Sequence, residues 1–385
     1  MQRLQELVSE YVERGEIAGV NGLVLQEGKE LAYFQAGCRN LESQEKMSRD
    51  TICRLYSMSK PITAAAVMIL LERGNIDLMD WVSDYLPGFE NQMVAEGDNL
   101  RPAACRMTIR HLLSMTSGLC YPGDVTLAEQ KTGQVYAECG QRLYSENPMS
   151  TMEFAEKIGQ CPLKFDPDQS WGYGTSADIL GALVGAVSGM KFSEFLNENI
   201  FEPLGMEDTA FYVPSEKQSR LAKSYEYTEG KLKEYRGEFL AISSRMEHAP
   251  WFESGGAGLC STIDDYAKFA SMLINGGTYS GKRILSEASV QYMTTAELMP
   301  KNQAEFLNWD GMQGFSYGNL MRIMKRPEYA VRLALQGEYG WDGWLGPFFL
   351  NAPKEKLTFL LMLQRANTGT FSLTRKLVNT VIQQI

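Results

Sequence analysis

Histidine is scarce in this sequence, since only His111 and His248 occur among its 385 residues. His111 falls inside the apolar pattern of TIRHLLSM and is predicted to be a helix residue with a structural hydrogen bond, whereas His248 is predicted to lie in a loop. No G-x-S-x-G motif is present either, so the strand-turn-helix nucleophile of the α/β-hydrolases has no local support. A serine enzyme built on this chain therefore needs a base other than histidine.

Cysteine pairs of the CxxC type are also missing, and the two histidines supply no ligand cluster for a metal. The seven cysteines are odd in number and scattered, which favours reduced, mostly buried thiols in a cytosolic protein. They are Cys38, Cys53, Cys105, Cys120, Cys139, Cys161 and Cys260. No stretch resembles a signal peptide or approaches the roughly 18 apolar residues of a membrane span. We therefore expect a cytoplasmic protein that binds no membrane, and neither a metal nor an organic cofactor is implied.

Positive charge is in deficit, because 37 Lys and Arg residues stand against 47 Asp and Glu residues, for a formal net charge of −10. No run rich in Lys or Arg interrupts this pattern, and nucleic-acid binders usually carry a basic face. We therefore do not expect a nucleic-acid partner. The 44% of hydrophobic residues suffices for a sizeable core, and the length favours two lobes or one large two-layer domain.

The order of the predicted elements indicates an α+β fold whose sheet is assembled from both ends of the chain. An amphipathic helix at the start is followed by an apparent hairpin around Glu27-Gly28-Lys29. Helical stretches and loops then dominate up to about residue 205, and near residue 314 strand-like runs return: FSYGNLMRIM, YAVRLALQGEY, GPFFLNAP and KLTFLLMLQR. A last helix, LTRKLVNTVIQQI, closes the chain. We expect residues 1–60 and 300–385 to form an α/β lobe, residues 61–299 a mainly helical lobe, and the active site to lie between them.

The segment RLYSMSKPITAAAVMILLERG supplies a candidate nucleophile and a base that is not histidine. Ser57 and Lys60 are three residues apart, so on a helix they lie on the same side within side-chain reach. Pro61 must lie about one turn into that helix, since deeper in its ring would clash with a carbonyl, and this places Ser57 at the N-terminal end. Exposed N–H groups there favour developing negative charge, while burial of the following apolar run would depress the pKa of Lys60. The S-x-x-K pattern alone also fits a serine that only caps a helix.

Two further segments follow in a defined order. Tyr173 lies just before a predicted helix in SWGYGTSADILGALVGAVSG, and Trp341-Asp342-Gly343 lies at a strand-like edge in GEYGWDGWLGPFFLNAP. Together with S-x-x-K, and with MTIRHLLSMTSGL, PLGMEDTAF and GGAGLCSTIDDYAKFASMLINGG, they resemble the superfamily of class C β-lactamases, penicillin-binding proteins and family VIII carboxylesterases over nearly the whole chain. The resemblance implies a β-lactamase-like fold, with an antiparallel sheet flanked by helices and an inserted, mainly helical lobe.

The resemblance also implies a role for each site residue. Ser57 matches the acylated nucleophile, Lys60 its proton-transfer partner, and Tyr173 the tyrosine that shuttles a proton between nucleophile, lysine and leaving group. The segment Trp341-Asp342-Gly343 matches the strand that lines the site opposite Ser57. The backbone N–H groups of Ser57 and Trp344 are implied as the oxyanion hole. Without the family, Tyr173 is more typical of a core aromatic residue.

Two departures from the penicillin-recognising members shift the expected substrate. Thr175 stands where those members have the asparagine of Tyr-x-Asn, and Trp341 stands where they have the lysine of Lys-Thr-Gly. The missing lysine and asparagine would contact a substrate carboxylate and amide, each contact being worth very roughly 1–3 kcal/mol. We therefore expect uncharged, apolar acyl groups at a substrate site formed by Thr175, Trp341, Asp342 and Gly343.

The sequence thus predicts a serine hydrolase that works through an acyl-enzyme, acting on small ester substrates as a carboxylesterase or acyltransferase. A D-aminoacyl peptidase or amidase and a weak β-lactamase remain open as alternatives. A non-catalytic scaffold or ligand sensor of the same fold remains open as well, although a chain without activity would be free to lose Ser57, Lys60 or Tyr173. The oligomeric state is left open.

Overall fold

The computed structural model describes residues 2–369 and 371–384. Its α-helices are α1 (Gln2–Glu13), α2 (Lys60–Glu72), α3 (Ile109–Leu113), α4 (Leu127–Arg142), α5 (Thr151–Gly159), α6 (Ser176–Ser188), α7 (Phe192–Leu196), α8 (Glu202–Leu204), α9 (Ile263–Ile274), α10 (Glu287–Thr295), α11 (Pro300–Leu307) and α12 (Ser372–Ile382). Short 3₁₀-helices occupy Tyr56–Ser59, Val82–Asp84, Pro87–Phe89, Ser215–Arg220 and Pro327–Tyr329, and a π-helical turn, Asn197–Phe201, joins α7 to α8.

The strands are β1 (Gly19–Gln26), β2 (Lys29–Asn40), β3 (Glu45–Lys46), β4 (Cys53–Arg54), β5 (Met93–Glu96), β6 (Asn99–Pro102), β7 (Tyr225–Thr228), β8 (Lys231–Glu234), β9 (Glu238–Phe239), β10 (Ile242–Ser243), β11 (Cys260–Ser261), β12 (Thr278–Tyr279), β13 (Lys282–Arg283), β14 (Phe315–Gly318), β15 (Met321–Met324), β16 (Tyr339–Asp342), β17 (Phe348–Ala352) and β18 (Leu357–Leu363). Among the described residues, strands β4–β13 pair only with one another, in five two-stranded ladders with two or four residues per strand.

The main sheet has eight strands in the order β14-β15-β16-β17-β18-β1-β2-β3, and every neighbouring pair is antiparallel. Strand β1 pairs with β2 on one side and with β18 on the other, so the two ends of the chain meet in the middle of the sheet. This arrangement confirms the predicted α+β fold with a sheet built from both termini.

Helices cover both faces of the sheet, which explains why β17 and β18 are buried at every residue and apolar except at Asn351 and Thr358. On one face, the apolar stripes of α1 and α12 pack together over the strands, as the amphipathic patterns predict. On the other face, α9 lies against β17 and β18, and the side chain of Asn351 donates a hydrogen bond of 2.8 Å to the carbonyl of Ala270 in α9.

Helix α2 is the buried centre of the molecule, since every residue from Lys60 to Leu70 is buried. A helix that is apolar all round is stable only when other elements surround it. Helix α6 packs beside α2 and α10 packs against it as well. The site segment therefore begins a helix that is held on all sides.

Of the run YAVRLALQGEY, only Tyr339 belongs to a strand, so the prediction was wrong over residues 329–338, and residues 330–336 are irregular. Val331 and Leu333 are exposed there, and the backbone N–H of Leu333 donates to Asn379 of α12 instead of to a neighbouring strand. The carboxylate of Glu338 accepts a hydrogen bond from the N–H of Leu335 and forms an ion pair with Arg332, and both partners are close to Glu338 in sequence. These side-chain contacts take the place of the strand pairing that the strand-like run predicted.

The strands of the main sheet lie within residues 19–46 and 315–363. The largest apolar cluster joins residues from the sheet, such as Leu23 and Phe349, to residues from the helices, such as Met68 and Leu180. The division into lobes at residues 60 and 300 stays a prediction.

Among the described residues, no single helix is long and apolar enough to cross a membrane. One pair of helices, Ser176–Ser188 with Phe192–Leu204, meets the length and composition criteria only as a unit bent by 82°. In that pair, the residues of α6 from Ser176 to Val184 are buried inside the protein.

We predict seven free thiols in the native protein. All seven cysteines are unpaired in the structure, and of these only Cys105 is exposed. Titration with a chromogenic thiol reagent in denaturant, without prior reduction, should therefore count seven thiols. A matched sample that is first reduced should give the same number. A count of five or fewer without reduction would show that at least one disulfide forms.

Candidate active site

Ser57 lies in the 3₁₀-helix Tyr56–Ser59, which runs directly into α2. Pro61 occupies the first turn of α2, where a proline costs no hydrogen bond, as its position after S-x-x-K predicted. The residue before the serine, Tyr56, has a φ of 45°, in the left-handed region that a bulky side chain rarely adopts. Such backbone strain persists only where the surrounding structure holds it, and it is common at functional sites. Ser57 is thereby presented at the wall of a large cavity.

Lys60 is completely buried and directs its amine to three oxygen atoms. Its Nζ lies 3.0 Å from the Oγ of Ser57, 3.0 Å from the hydroxyl of Tyr121 and 2.9 Å from the carbonyl oxygen of Gly256. Burial lowers the pKa of Lys60 to about 7, and the negative charges of Asp178 and Asp342 oppose this shift. The burial predicted from the apolar run after Ser57 is therefore present, and it is the cause of the lowered pKa of Lys60.

Tyr173 lies on the same side of the cavity, with its ring centroid 4.7 Å from the Nζ of Lys60. Its hydroxyl accepts a hydrogen bond of 3.0 Å from the indole N–H of Trp341. Burial raises the pKa of Tyr173 above its ordinary value, and hydrogen bonds with Ser57 and Trp341 oppose the increase. The single donor of Trp341 is thus engaged with Tyr173, so this side chain orients the tyrosine and offers a substrate only its ring.

Asp178, in the first part of α6, holds in place the segment whose Gly256 carbonyl contacts Lys60. Its carboxylate accepts hydrogen bonds from the hydroxyl of Ser254 at 2.5 Å, the N–H of Gly256 at 2.9 Å and the hydroxyl of Tyr136 at 2.9 Å. Gly256 belongs to the glycine-rich segment Gly255-Gly256-Ala257-Gly258. Since the N–H of Gly256 is held by Asp178, its carbonyl is fixed beside Lys60.

The end of β16 approaches Ser57 because Gly343 has no side chain. A methyl group on Gly343 would lie 2.1 Å from the carbonyl oxygen of Leu55, so any other residue would push the two segments apart. Within the described residues, the backbone N–H of the next residue, Trp344, donates no hydrogen bond. That unpaired N–H lies in a segment lining the same cavity as Ser57, as the predicted oxyanion hole requires.

The cavity has a volume of about 1090 Å³. Aromatic rings dominate its lining, and they are Tyr56, Tyr121, Tyr136, Tyr144, Tyr173, Phe239, Trp309, Trp341 and Trp344. Among the described residues, no lysine or arginine lines its wall. A cavity of this size and polarity is suited to an organic molecule of moderate size.

One residue of the predicted substrate site lies elsewhere, and the two histidines occupy the kinds of position predicted for them. Thr175 is buried and does not line the cavity, and its hydroxyl has no hydrogen-bond partner among the described residues. His111 accepts a hydrogen bond of 3.1 Å from the N–H of Thr108 at the start of α3, which is the structural role predicted for it. His248 lies in a loop beside a smaller cavity. In the described part of the chain, no group of three or more His, Cys, Asp or Glu side chains could hold a metal.

Tyr121 and helix α4 were missed in the sequence. Tyr121 follows the recognised segment MTIRHLLSMTSGL, but no local pattern marks it as a partner of Lys60, 61 residues away. Helix α4, which brings Tyr136 and Gly140 to the cavity, does have a local signal. Thr126 and Glu129 form a capping box at its start, and a T-x-x-E pattern could have revealed it.

The sequence matches the Beta-lactamase family over residues 4–381, so the chain belongs to that family. An uncharacterized protein of Mycobacterium tuberculosis is 29% identical over 94% of this chain and 89% of its own length. Esterase EstB of Burkholderia gladioli is 26% identical over 95% of this chain and 91% of its own length. The solved structure of EstCE1, a hydrolase with promiscuous acyltransferase activity, superposes with a TM-score of 0.82 at 23% identity and covers 98% of both chains.

These comparisons confirm the resemblance noted in the sequence and the β-lactamase-like fold. They also confirm the predicted enzyme class, a serine hydrolase or acyltransferase of the β-lactamase type with esterase activity favoured. A small-molecule substrate is in keeping with these relatives.

Proposed function

We propose that this protein is a carboxylesterase, with acyl transfer to alcohols as a second activity, and that Ser57 is its nucleophile. The observation that carries the proposal is the 3.0 Å contact between the Oγ of Ser57 and the amine of Lys60, a buried lysine with a pKa of about 7. A neutral amine at this distance is a base suited to activating a serine hydroxyl near neutral pH.

In the proposed mechanism, the proton of the Ser57 hydroxyl passes to Lys60, directly or through Tyr173, as Oγ forms a bond to the ester carbonyl carbon. The carbonyl oxygen becomes an oxyanion that accepts hydrogen bonds from the N–H groups of Ser57 and Trp344. The bond to the alkoxy group then breaks, and the leaving alcohol takes a proton from Tyr173, which Lys60 replenishes. Water or a second alcohol gives up its proton to the same groups, attacks the acyl carbon and releases Ser57.

Substrate turnover tests this proposal, because the cavity wall offers no cation to a carboxylate. We predict that kcat/KM for a short-chain p-nitrophenyl ester exceeds that for benzylpenicillin by at least about a hundredfold, or roughly 2.7 kcal/mol of transition-state binding. Both substrates are measured on the purified protein, with Ser57→Ala as the blank for spontaneous hydrolysis. Comparable efficiencies would favour the β-lactamase alternative, and turnover of D-alanyl p-nitroanilide above that of the esters would favour the peptidase alternative.

Acyl transfer is favoured as the second activity by the aromatic lining, which attracts an alcohol more readily than it attracts water. The relative EstCE1 is described as having such activity. Adding a primary alcohol to the ester assay and separating the products by chromatography distinguishes the new ester from the free acid. Formation of free acid alone at every alcohol concentration would limit the protein to hydrolysis.

The pH dependence of kcat/KM should follow the protonation of Lys60. Because burial lowers its pKa to about 7, the amine is neutral above that pH and protonated below it. We therefore predict that kcat/KM is nearly level above pH 8 and falls about tenfold per pH unit below pH 6. Stopped-flow measurement of the acylation step with a p-nitrophenyl ester gives this profile.

A charge-removing variant provides the control for that profile. The carboxylate of Asp178 raises the pKa of Lys60, so Asp178→Asn should move the fall in kcat/KM to lower pH. Asp124→Asn, on an exposed loop, should leave the midpoint in place. A midpoint that is the same in wild type and in Asp178→Asn would show that another group governs the profile.

A further inference from the structure

The charges at the cavity wall are all negative. Of the described residues that line it, only Glu238 and Asp342 carry a formal charge. Asp342 is neutralised by an ion pair with Arg322, whose side chain is buried behind the wall and lies 5.3 Å from the ring centroid of Trp341. Glu238 has no ion-pair partner among the described residues. One uncompensated carboxylate therefore faces the cavity.

Glu238 reaches the cavity from the short hairpin β9–β10, opposite helix α4. Its Oε2 would lie 3.2 Å from a methyl group placed on Gly140 of α4, so the carboxylate extends across to the helix where that residue has no side chain. Glu238 is exposed at the mouth of the cavity, and the partial burial of its side chain there raises its pKa. A carboxylate in this position is stabilised when a positive group replaces the lost water.

Aromatic rings surround the same part of the cavity. Phe239, next to Glu238, stacks on Trp344 with ring centroids 4.3 Å apart, and Tyr56 contacts Trp344 in an edge-on arrangement with ring centroids 5.0 Å apart. Tyr144, with much of its side chain exposed, lines the wall on the side of α4. The faces of such rings carry partial negative charge and attract cations, quaternary ammonium groups in particular.

We infer that the part of the cavity bounded by Glu238, Phe239, Trp344 and Tyr144 is a subsite for a cationic group, and that the preferred esters carry an ammonium group on the portion directed towards it. This inference depends on the proposed esterase activity and specifies its substrate class. An anionic ester would meet Glu238 with no lysine or arginine in the wall to compensate. A neutral ester would shield the Glu238 carboxylate from water without supplying a positive charge to pair with it.

A matched pair of substrates tests the subsite. Acetylcholine and 3,3-dimethylbutyl acetate have nearly the same shape and the same acyl group, but only the first carries a positive charge. We expect wild-type kcat/KM to be about tenfold higher for acetylcholine at low ionic strength, and the preference to shrink as salt is added. Tetramethylammonium should also inhibit turnover of p-nitrophenyl acetate competitively.

Two variants locate the effect. Glu238→Gln should lower the ratio between the two esters towards one and weaken inhibition by tetramethylammonium. Glu234→Gln, a matched change on neighbouring strand β8 in a residue that pairs with Arg236 outside the cavity wall, should keep the wild-type ratio. A wild-type ratio of one or less, or a ratio that Glu238→Gln leaves unchanged, would overturn the cationic subsite.

The same measurements separate this inference from the proposed function. Turnover of neutral esters without a preference for the cationic one, and without inhibition by tetramethylammonium, overturns only the subsite. Loss of turnover on every ester together with failure of a fluorophosphonate probe to label Ser57 would overturn the esterase proposal itself.

Discussion

Replacing Ser57 by alanine should abolish ester turnover and covalent labelling while the protein remains folded. Because the acyl group is bonded to the Oγ of Ser57 in the proposed mechanism, no other side chain can take over that step. We expect kcat to fall by at least about 10⁴-fold. The free energy of unfolding should change by no more than about 1 kcal/mol, since one partly buried hydroxyl is lost without a change of fold.

Intact-protein mass spectrometry after treatment with a fluorophosphonate probe measures the labelling directly. The wild type should gain one probe mass, and peptide mapping should place it on Ser57. Ser59 is the internal comparison, because it is two residues away but fully buried, and its hydroxyl accepts a hydrogen bond from the N–H of Leu259. A label that persists in Ser57→Ala, or that maps to Ser59, would show that the nucleophile has been wrongly assigned.

Removing either of the two proton-transfer groups should slow acylation by about 10²–10⁴-fold, the usual contribution of general acid–base catalysis. Lys60→Ala removes the amine that lies 3.0 Å from Ser57, and Tyr173→Phe removes the hydroxyl held by Trp341. Since both groups serve one proton path, the double variant should be little slower than the slower single variant. Single-turnover kinetics with a p-nitrophenyl ester gives the acylation rate of each protein.

The histidine variants are the controls for this comparison of the single and double variants. His111 accepts a hydrogen bond at the start of α3, and His248 lies outside the cavity wall. His111→Gln and His248→Gln should therefore keep most of the activity. Tyr121→Phe tests whether the second hydroxyl beside Lys60 takes part in proton transfer. We expect a smaller loss of activity than for Tyr173→Phe. Activity lost as completely in a histidine variant as in Lys60→Ala would contradict a mechanism without histidine.

The spacing between Ser57 and Lys60 was readable in the sequence because it is local. Two residues three apart at the start of a helix must lie on one side of it, and Pro61 limits where that start can be. The amphipathic pattern of α1 and the apolar runs of β17 and β18 were readable for the same reason, since their periods reflect the backbone geometry of one element.

Tyr173 and Trp341 entered the sequence interpretation only through a family resemblance, because nothing in their own surroundings distinguishes them from core aromatic residues. Their hydrogen bond spans 168 positions of the chain, a distance at which spacing carries no geometric information. In the irregular segment 330–336, by contrast, the local sequence predicted an element that the structure does not form. There, a strand-like run predicted a strand, but contacts with α12 and with Glu338 prevailed over the local pattern.

The sequence by itself determined the nucleophile and base candidates, the amphipathic elements and, through its motifs, the fold family. Only the tertiary structure decided what surrounds Lys60, that Asp178 fixes the carbonyl beside it, that Thr175 lies away from the cavity, and that Glu238 faces the cavity without a cation. The physical reason is that the pKa of a buried amine and the charge of a cavity are sums over neighbours from distant segments. Local sequence fixes the conformation of one element, whereas packing alone sets which elements become neighbours.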